Sequence, residues 1–272
     1  MKNLDKIENS SIEKQENFKF PDLVVFTSTL YKNDEVSKVR EKLALKFFNN
    51  ADQLGVRCVV LDGGSNENFL EEAKKFSNVE IIVDSSLGMG EGRRAALEAA
   101  MGENKASFFL WIEPEKDDLI NEKDLGKMIA DLRENKADII VPRRESKETM
   151  PEFQAWIENR ANKKAMEIAG VGREEAKEVW DLWFGPKMFN REGAKYFLEY
   201  KGKLDKWDSI IKPVLNAYQD GKRVSSVDVN YKYDISQKES EEKDREMKKK
   251  RIIQYIKILA ELGDEFWRKK EK

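Results

Sequence analysis

The chain has 272 residues, 40% hydrophobic and 38% charged, with 50 Lys and Arg against 52 Asp and Glu. A formal charge of −2 gives no basic excess for a duplex, so nucleic acid is not an expected partner. Histidine is absent, which excludes Ser-His and Cys-His nucleophile systems and His-ligated zinc.

Any acid–base chemistry therefore falls to Asp, Glu, Lys or Tyr. The 14 Phe and 6 Trp are enough for a sizeable core. Cys58 is the single cysteine and sits in an apolar pattern, so it reads as a small buried hydrophobe, with no disulfide or thiolate site available. No apolar run approaches the length of a membrane span, so no transmembrane segment is expected. Residues 1–20 are mostly polar and lack a signal-peptide core; they read as a flexible N-terminal tail, and the location expected by default is cytoplasmic.

Leu23 to Ser28 reads as a buried strand. Helical spacing follows from Glu35 to Leu54 and ends at Gly55, a favoured C-cap residue. Val56 to Leu61 is a second strand, ending in Asp62-Gly63-Gly64-Ser65. A helix from Asn66 to Phe76 leads to a third strand, Val79 to Val83. The turn Asp84 to Gly90 precedes a helix through Ala95 to Ala100, and the fourth strand runs to Glu113. A helix over Glu122–Glu134 and a strand over Ala137–Val141 complete another unit. This alternation predicts an α/β fold: an open, mostly parallel sheet flanked by helices.

The second half is less regular. Pro151 to Ala169 reads as a long helix, Asp181 to Phe189 as an aromatic turn region, and Arg191–Tyr200 and Trp207–Gln219 as short helices. Residues 224–231 are expected to add one antiparallel strand. From about Glu239 to Trp267 a long helix carries the stripe Met247, Ile252, Ile256, Leu259, Leu262 and Phe266. Lys248 to Arg251 beside that stripe allows peripheral membrane contact, but a helix packed on the core is the expected reading. With no internal repeat or low-complexity linker, residues 21–272 read as a single domain ending in this helix.

Chemistry concentrates where the first strands end. Phe108-Phe109-Leu110-Trp111-Ile112 runs into Glu113-Pro114-Glu115-Lys116, an apolar strand closing in carboxylates. Alternate positions of an extended chain point the same way, so Glu113 and Glu115 are candidate oxygen ligands for Mg²⁺ or Mn²⁺. The competing reading is a solvated turn that opens a helix. Leu87-Gly88-Met89-Gly90-Glu91-Gly92-Arg93-Arg94 places backbone N–H groups and two guanidiniums at a helix start, a natural anion site centred on Gly88, Arg93 and Arg94. It is not the dinucleotide fingerprint, since Arg93 stands at the third glycine position and the loop follows strand three.

In their order, Val59-Val60-Leu61-Asp62-Gly63-Gly64-Ser65, the Gly88 loop and Leu110-Trp111-Ile112-Glu113-Pro114-Glu115 resemble the family-2-like nucleotide-sugar glycosyltransferases of the GT-A type, the group containing dolichyl-phosphate mannose synthase-like enzymes. The resemblance implies a GT-A-like fold and transfer from a nucleoside diphosphate-sugar, UDP- or GDP-linked, to an unknown acceptor. It further implies that Thr27 lies beside the base, Asp62 binds it, Arg93 or Arg94 contacts base or phosphate, and Asp181 acts near the acceptor as the catalytic base. Glu113 and Glu115 stand where the family has Asp-x-Asp. That change leaves three outcomes: a metal still held there, a diphosphate neutralised by Lys116, Arg143 and Arg144, or a site without catalysis. Two rivals share the sheet: a non-catalytic nucleotide-sugar binding protein and a sugar nucleotidyltransferase. The absence of glycine from Thr27 to Lys32 counts against the nucleotidyltransferase.

Overall fold

A computed structural model of the chain describes residues 19–102, 106–172 and 179–270. The first half alternates as expected: β1 (Leu23–Thr29), α1 (Glu35–Gln53), β2 (Arg57–Asp62), α2 (Glu67–Ala73), β3 (Val79–Val83), α3 (Met89–Met101) and β4 (Phe108–Trp111). Then come α4 (Glu122–Glu134), β5 (Ile139–Arg144), α5 (Glu152–Ile168), β6 (Lys187–Asn190), α6 (Arg191–Leu198), α7 (Lys212–Gln219) and β7 (Val224–Val229). Two helices, α8 (Ile235–Lys243) and α9 (Arg245–Lys270), follow the last strand.

The seven strands form one sheet in the order β3-β2-β1-β4-β6-β5-β7. Neighbours along β3-β2-β1-β4 are parallel, while β6 runs antiparallel to both β4 and β5. β7 pairs parallel with β5. The antiparallel strand is thus Lys187–Asn190, which overlaps the end of the Asp181–Phe189 segment expected as a turn, and the strand near 224–231 is parallel to its partner.

Both faces of the sheet are covered, which explains why its strands read as continuous apolar runs. Val25, Cys58, Val60 and Leu110 pack with Phe47, Phe48 and Phe69 on one face. Their neighbours Val24, Phe26, Val59 and Phe109 pack with Leu97, Val214, Ile258 and Leu262 on the other. Helix starts follow capping chemistry: Asp34, Asn66, Asn121 and Asn190 each accept a backbone N–H of the first turn. Gly55 adopts φ 64°, the left-handed conformation expected past α1.

In α9 the packed positions are Gln254, Ile258 and Leu262, while Ile252 and Ile256 are 41% and 57% exposed. Of the expected stripe Leu259 and Leu262 pack on the core, whereas Ile252 and Ile256, counted there as core, do not. The side chain of Phe266 and most of the expected N-terminal tail lie outside the described residues. No helix among the described residues is long and apolar enough to cross a membrane.

Two glycines separate packing from propensity. A Cβ on Gly92 would lie 2.7 Å from Leu61 Cδ2, so α3 approaches the sheet closely only without one. Gly126 in α4 has nothing within 4 Å of such a Cβ. Gly92→Ala should therefore destabilise by about 1–3 kcal/mol, and Gly126→Ala should stabilise by about 0.5–1 kcal/mol, both read by denaturant unfolding.

Candidate active site

β1 lies between β2 and β4, so the sheet order reverses at the β1/β4 boundary. In open α/β sheets the ligand crevice forms outside the strand ends at such a reversal. A cleft of about 490 Å³ lies there, within the range of small-molecule sites. Ser28 to Tyr31 line it from the end of β1, Glu113, Glu115 and Lys116 from the end of β4, and Gly88 and Arg93 from the start of α3.

Side-chain contacts tie these exits together. Tyr31 donates its hydroxyl to Glu115 Oε1 at 3.3 Å, and Arg40 Nε stands 3.9 Å from the same oxygen. Burial and then the Glu115 charge push the Tyr31 hydroxyl above its ordinary pKa, so it remains a donor. Lys116 Nζ donates to Glu113 Oε2 at 2.9 Å. Desolvation alone would raise the Glu113 carboxyl, yet Lys116 and then Arg93 hold it below the usual carboxylate value. Gly185, at φ 85°, lies against this group: a Cβ there would stand 2.5 Å from either carboxylate oxygen. The Arg93 guanidinium covers the Trp111 ring, 4.9 Å from its centroid, and donates to Ser209 Oγ at 2.7 Å and to the Lys206 carbonyl. Its Nε is buried without a hydrogen-bond partner among the described residues.

Four sequence-expected residues are placed otherwise. Thr27 is fully buried in β1 and its hydroxyl does not reach the cleft. Asp62 is also fully buried, accepting from the Thr29 hydroxyl at 2.7 Å and from the N–H groups of Gly64 and Ser65 at 2.8 and 2.7 Å. It shapes the loop behind the cleft. Arg94 turns away from Arg93 to make a two-pronged pair with Asp205, at 2.6 and 2.7 Å. Asp181 is 1% exposed and accepts from Arg144 Nε and Nη2 at 2.7 and 2.8 Å and from Asn162 Nδ2 at 2.9 Å. Burial would raise its carboxyl, but Arg144 pulls it far below the ordinary range, the wrong direction for a base at neutral pH. Gly88 does line the cleft, although its N–H already donates to Glu91 of the same helix, at 3.0 Å.

Sequence reasoning missed three groups. Tyr31 and Arg40 reach Glu115 from β1 and α1; the only sequence signal is a Tyr in the first loop. Lys187 is fully buried and donates to the carbonyls of Leu182, Gly185 and Pro186 at 3.1, 3.2 and 3.1 Å. Burial brings it down to about 7, against the opposing charges of Glu113 and Asp181. It braces the turn on which Glu113 rests, and its signal is a lysine opening the apolar run Lys187-Met188-Phe189.

Among the described residues no group of three or more His, Cys, Asp or Glu stands ready to hold a metal ion. What the end of β4 offers the cleft is two carboxylates, Glu113 and Glu115, each already paired with a cation. Such a set fits a hard cation whose shell substrate oxygens complete, as Mg²⁺ sites commonly do, and does not fit a closed protein cage.

A parallel sheet with one reversed strand and a cleft at its switch point define a GT-A-type nucleotide-sugar transferase fold. The chain belongs to glycosyl transferase family 2, whose pattern matches residues 38–197, and is a glycosyltransferase. No curated protein sequence matches it significantly. Solved structures of glucosyl-3-phosphoglycerate synthase from Mycobacterium tuberculosis share the fold. The complex with Mn²⁺, UDP and phosphoglyceric acid is 12% identical, with a TM-score of 0.53 over 93% of this chain and 82% of that one. The complex with Mn²⁺ and UDP-glucose is 13% identical, with a TM-score of 0.53 over 84% and 75%. The complex with Mg²⁺ and UDP is 12% identical, with a TM-score of 0.52 over 84% and 75%.

Asp181→Asn should cost about 3–5 kcal/mol, because the buried Arg144 loses a charged partner. Because the folded-state pKa of Asp181 is depressed, its contribution is present above about pH 4. It is lost on further acidification, and urea unfolding across that window checks the sign. Gly185→Ala should displace the Glu113 carboxylate and strain the turn at φ 85°, lowering transferase activity more than the melting temperature.

Proposed function

We propose that the protein transfers a glycosyl group from a UDP- or GDP-sugar to a hydroxyl acceptor, with the nucleotide between the ends of β1 and β4. The observation that carries this reading is the meeting of Tyr31, Glu113, Glu115 and Lys116 in one cleft where the sheet order reverses. The M. tuberculosis complexes with UDP, UDP-glucose and Mn²⁺ or Mg²⁺ support this donor class and a divalent cation. The finer likeness to dolichyl-phosphate mannose synthase-like enzymes rests on the strand-end motifs.

In this reading the base lies along Ser28 to Tyr31, on a loop that Asp62 holds from behind. Glu113 and Glu115 would hold Mg²⁺ or Mn²⁺, which when bound would neutralise diphosphate charge. Lys116 and Arg93 supply fixed positive charge where the diphosphate departs. The bond from the anomeric carbon to the diphosphate breaks with its electron pair on the diphosphate oxygen, the acceptor oxygen bonds to that carbon, and the acceptor proton passes to the departing diphosphate or to water. Asp181 does not take that proton; it fixes Arg144 in the cleft wall.

Calorimetric titration with UDP and GDP tests the reading. At least one should bind, and Mn²⁺ should tighten binding by about tenfold or more, the scale of one charge-assisted contact. Glu115→Gln should remove most of that gain. Binding that ignores both Mn²⁺ and Glu115→Gln would leave a nucleotide site and overturn the metal role. No binding of either nucleotide would overturn the donor assignment.

A further inference from the structure

The cleft continues past the strand ends into a second half walled by Tyr231, Tyr233, Gln237, Glu241, Arg251 and Gln254. All six lie beyond residue 197, where the family match stops. This wall holds polar groups that the described chain does not satisfy. Arg251 Nε and Gln237 Oε1 are buried without a hydrogen-bond partner. Gln254 is only 6% exposed and makes no side-chain hydrogen bond among the described residues. The orientation of the Gln237 amide follows from its Nε2, which donates to Glu241 Oε1 at 3.1 Å. Glu241 is occupied as well, accepting the Tyr233 hydroxyl at 3.0 Å and leaving the Arg251 guanidinium at 3.8 Å. Buried donors and acceptors are normally paired, so these two orphaned atoms, with the Gln254 amide on the same wall, call for a ligand that pairs them.

Charge points the same way. Lys250 is held below the ordinary lysine value by desolvation first and then by Arg251 and Arg40, with Glu241 and Asp244 opposing. Arg40 and Arg251 themselves line the cleft, so positive charge stands beside the part of the wall that lacks partners.

We propose that this half of the cleft is the acceptor subsite, and that the acceptor combines an anionic group, phosphate or carboxylate, with a hydroxyl. Arg251 and the Gln254 amide N–H donate to the anion, and Gln237 Oε1 accepts a hydrogen bond from the hydroxyl. The assignment rests on the donor reading, because it gives the acceptor the half that the nucleotide leaves open.

The test is calorimetry on the full chain with glycerol 3-phosphate, glycerate, inorganic phosphate and glycerol, each with and without UDP and Mn²⁺. The variants are Arg251→Met and Gln254→Leu, with melting temperatures as the check on folding. Glycerol 3-phosphate or glycerate should bind and glycerol at the same concentration should not. Binding by glycerol 3-phosphate and phosphate assigns the phosphate, and binding by glycerate alone assigns the carboxylate. Each variant should weaken anion binding by about tenfold or more while UDP affinity stays unchanged. Absence of anion binding, or equal binding by wild type and both folded variants, overturns the subsite. Loss of UDP binding in the wild type with anion binding still sensitive to Arg251→Met overturns the donor reading and leaves the anion subsite standing.

Discussion

Two neighbouring parallel strands whose following segments diverge at their ends are what the site depends on. From β1 the chain passes to α1 on one face and returns to β2; α3, entered from β3, covers the opposite face. β4 then inserts on the far side of β1, and the two exits are left facing each other across a gap. The Tyr31–Glu115 hydrogen bond spans that gap, and Arg93 closes it from the α3 side by lying over Trp111. A cleft follows from the topology alone; its chemistry follows from which side chains happen to stand at the exits.

Around that cleft most carboxylates are matched by a cation, Glu113 by Lys116, Glu115 by Arg40, and Asp181 and Glu158 by Arg144, while Asp84 is held by Ser86 instead. The exposed pairs contribute little to stability, while the Arg144 cluster is buried and intolerant of losing one member. Matching has a functional consequence too. With Glu113 and Glu115 already paired, affinity for a divalent cation at the proposed site would depend on the oxygens that a diphosphate brings with it. Lys187 extends this logic inward, since its ammonium gathers three carbonyls of the turn that supports Glu113.

The first five strands and the helices between them were legible because both faces of the sheet are buried and the caps of α1, α2 and α4 carry Asp or Asn. β6 was hidden by Gly185-Pro186 and by the lysine that opens it, and once β6 is inserted antiparallel the direction of β7 relative to β5 follows from pairing that no local pattern records. In α9, isoleucines occur on two faces, so periodicity alone could not reveal that Gln254, Ile258 and Leu262 are the packed set. At the site, Glu113, Glu115 and Arg93 were readable from their place at strand and helix ends. Thr27 and Asp62 carry suitable chemistry but face inward, a matter of strand phase that shifts with one residue. Arg93 and Arg94 were indistinguishable until Asp205 took one of them, and Asp181 looked free because Arg144 lies 37 residues away.

The most direct measurement is a crystal structure of the protein grown with UDP and Mn²⁺. The account predicts the base along Ser28 to Tyr31, with the diphosphate beside Lys116 and the manganese, located by its anomalous signal, between the diphosphate and the carboxylates of Glu113 and Glu115. Nucleotide density seated elsewhere, or a diphosphate that leaves both Glu113–Lys116 and Glu115–Arg40 untouched with no anomalous peak at the strand ends, would contradict it.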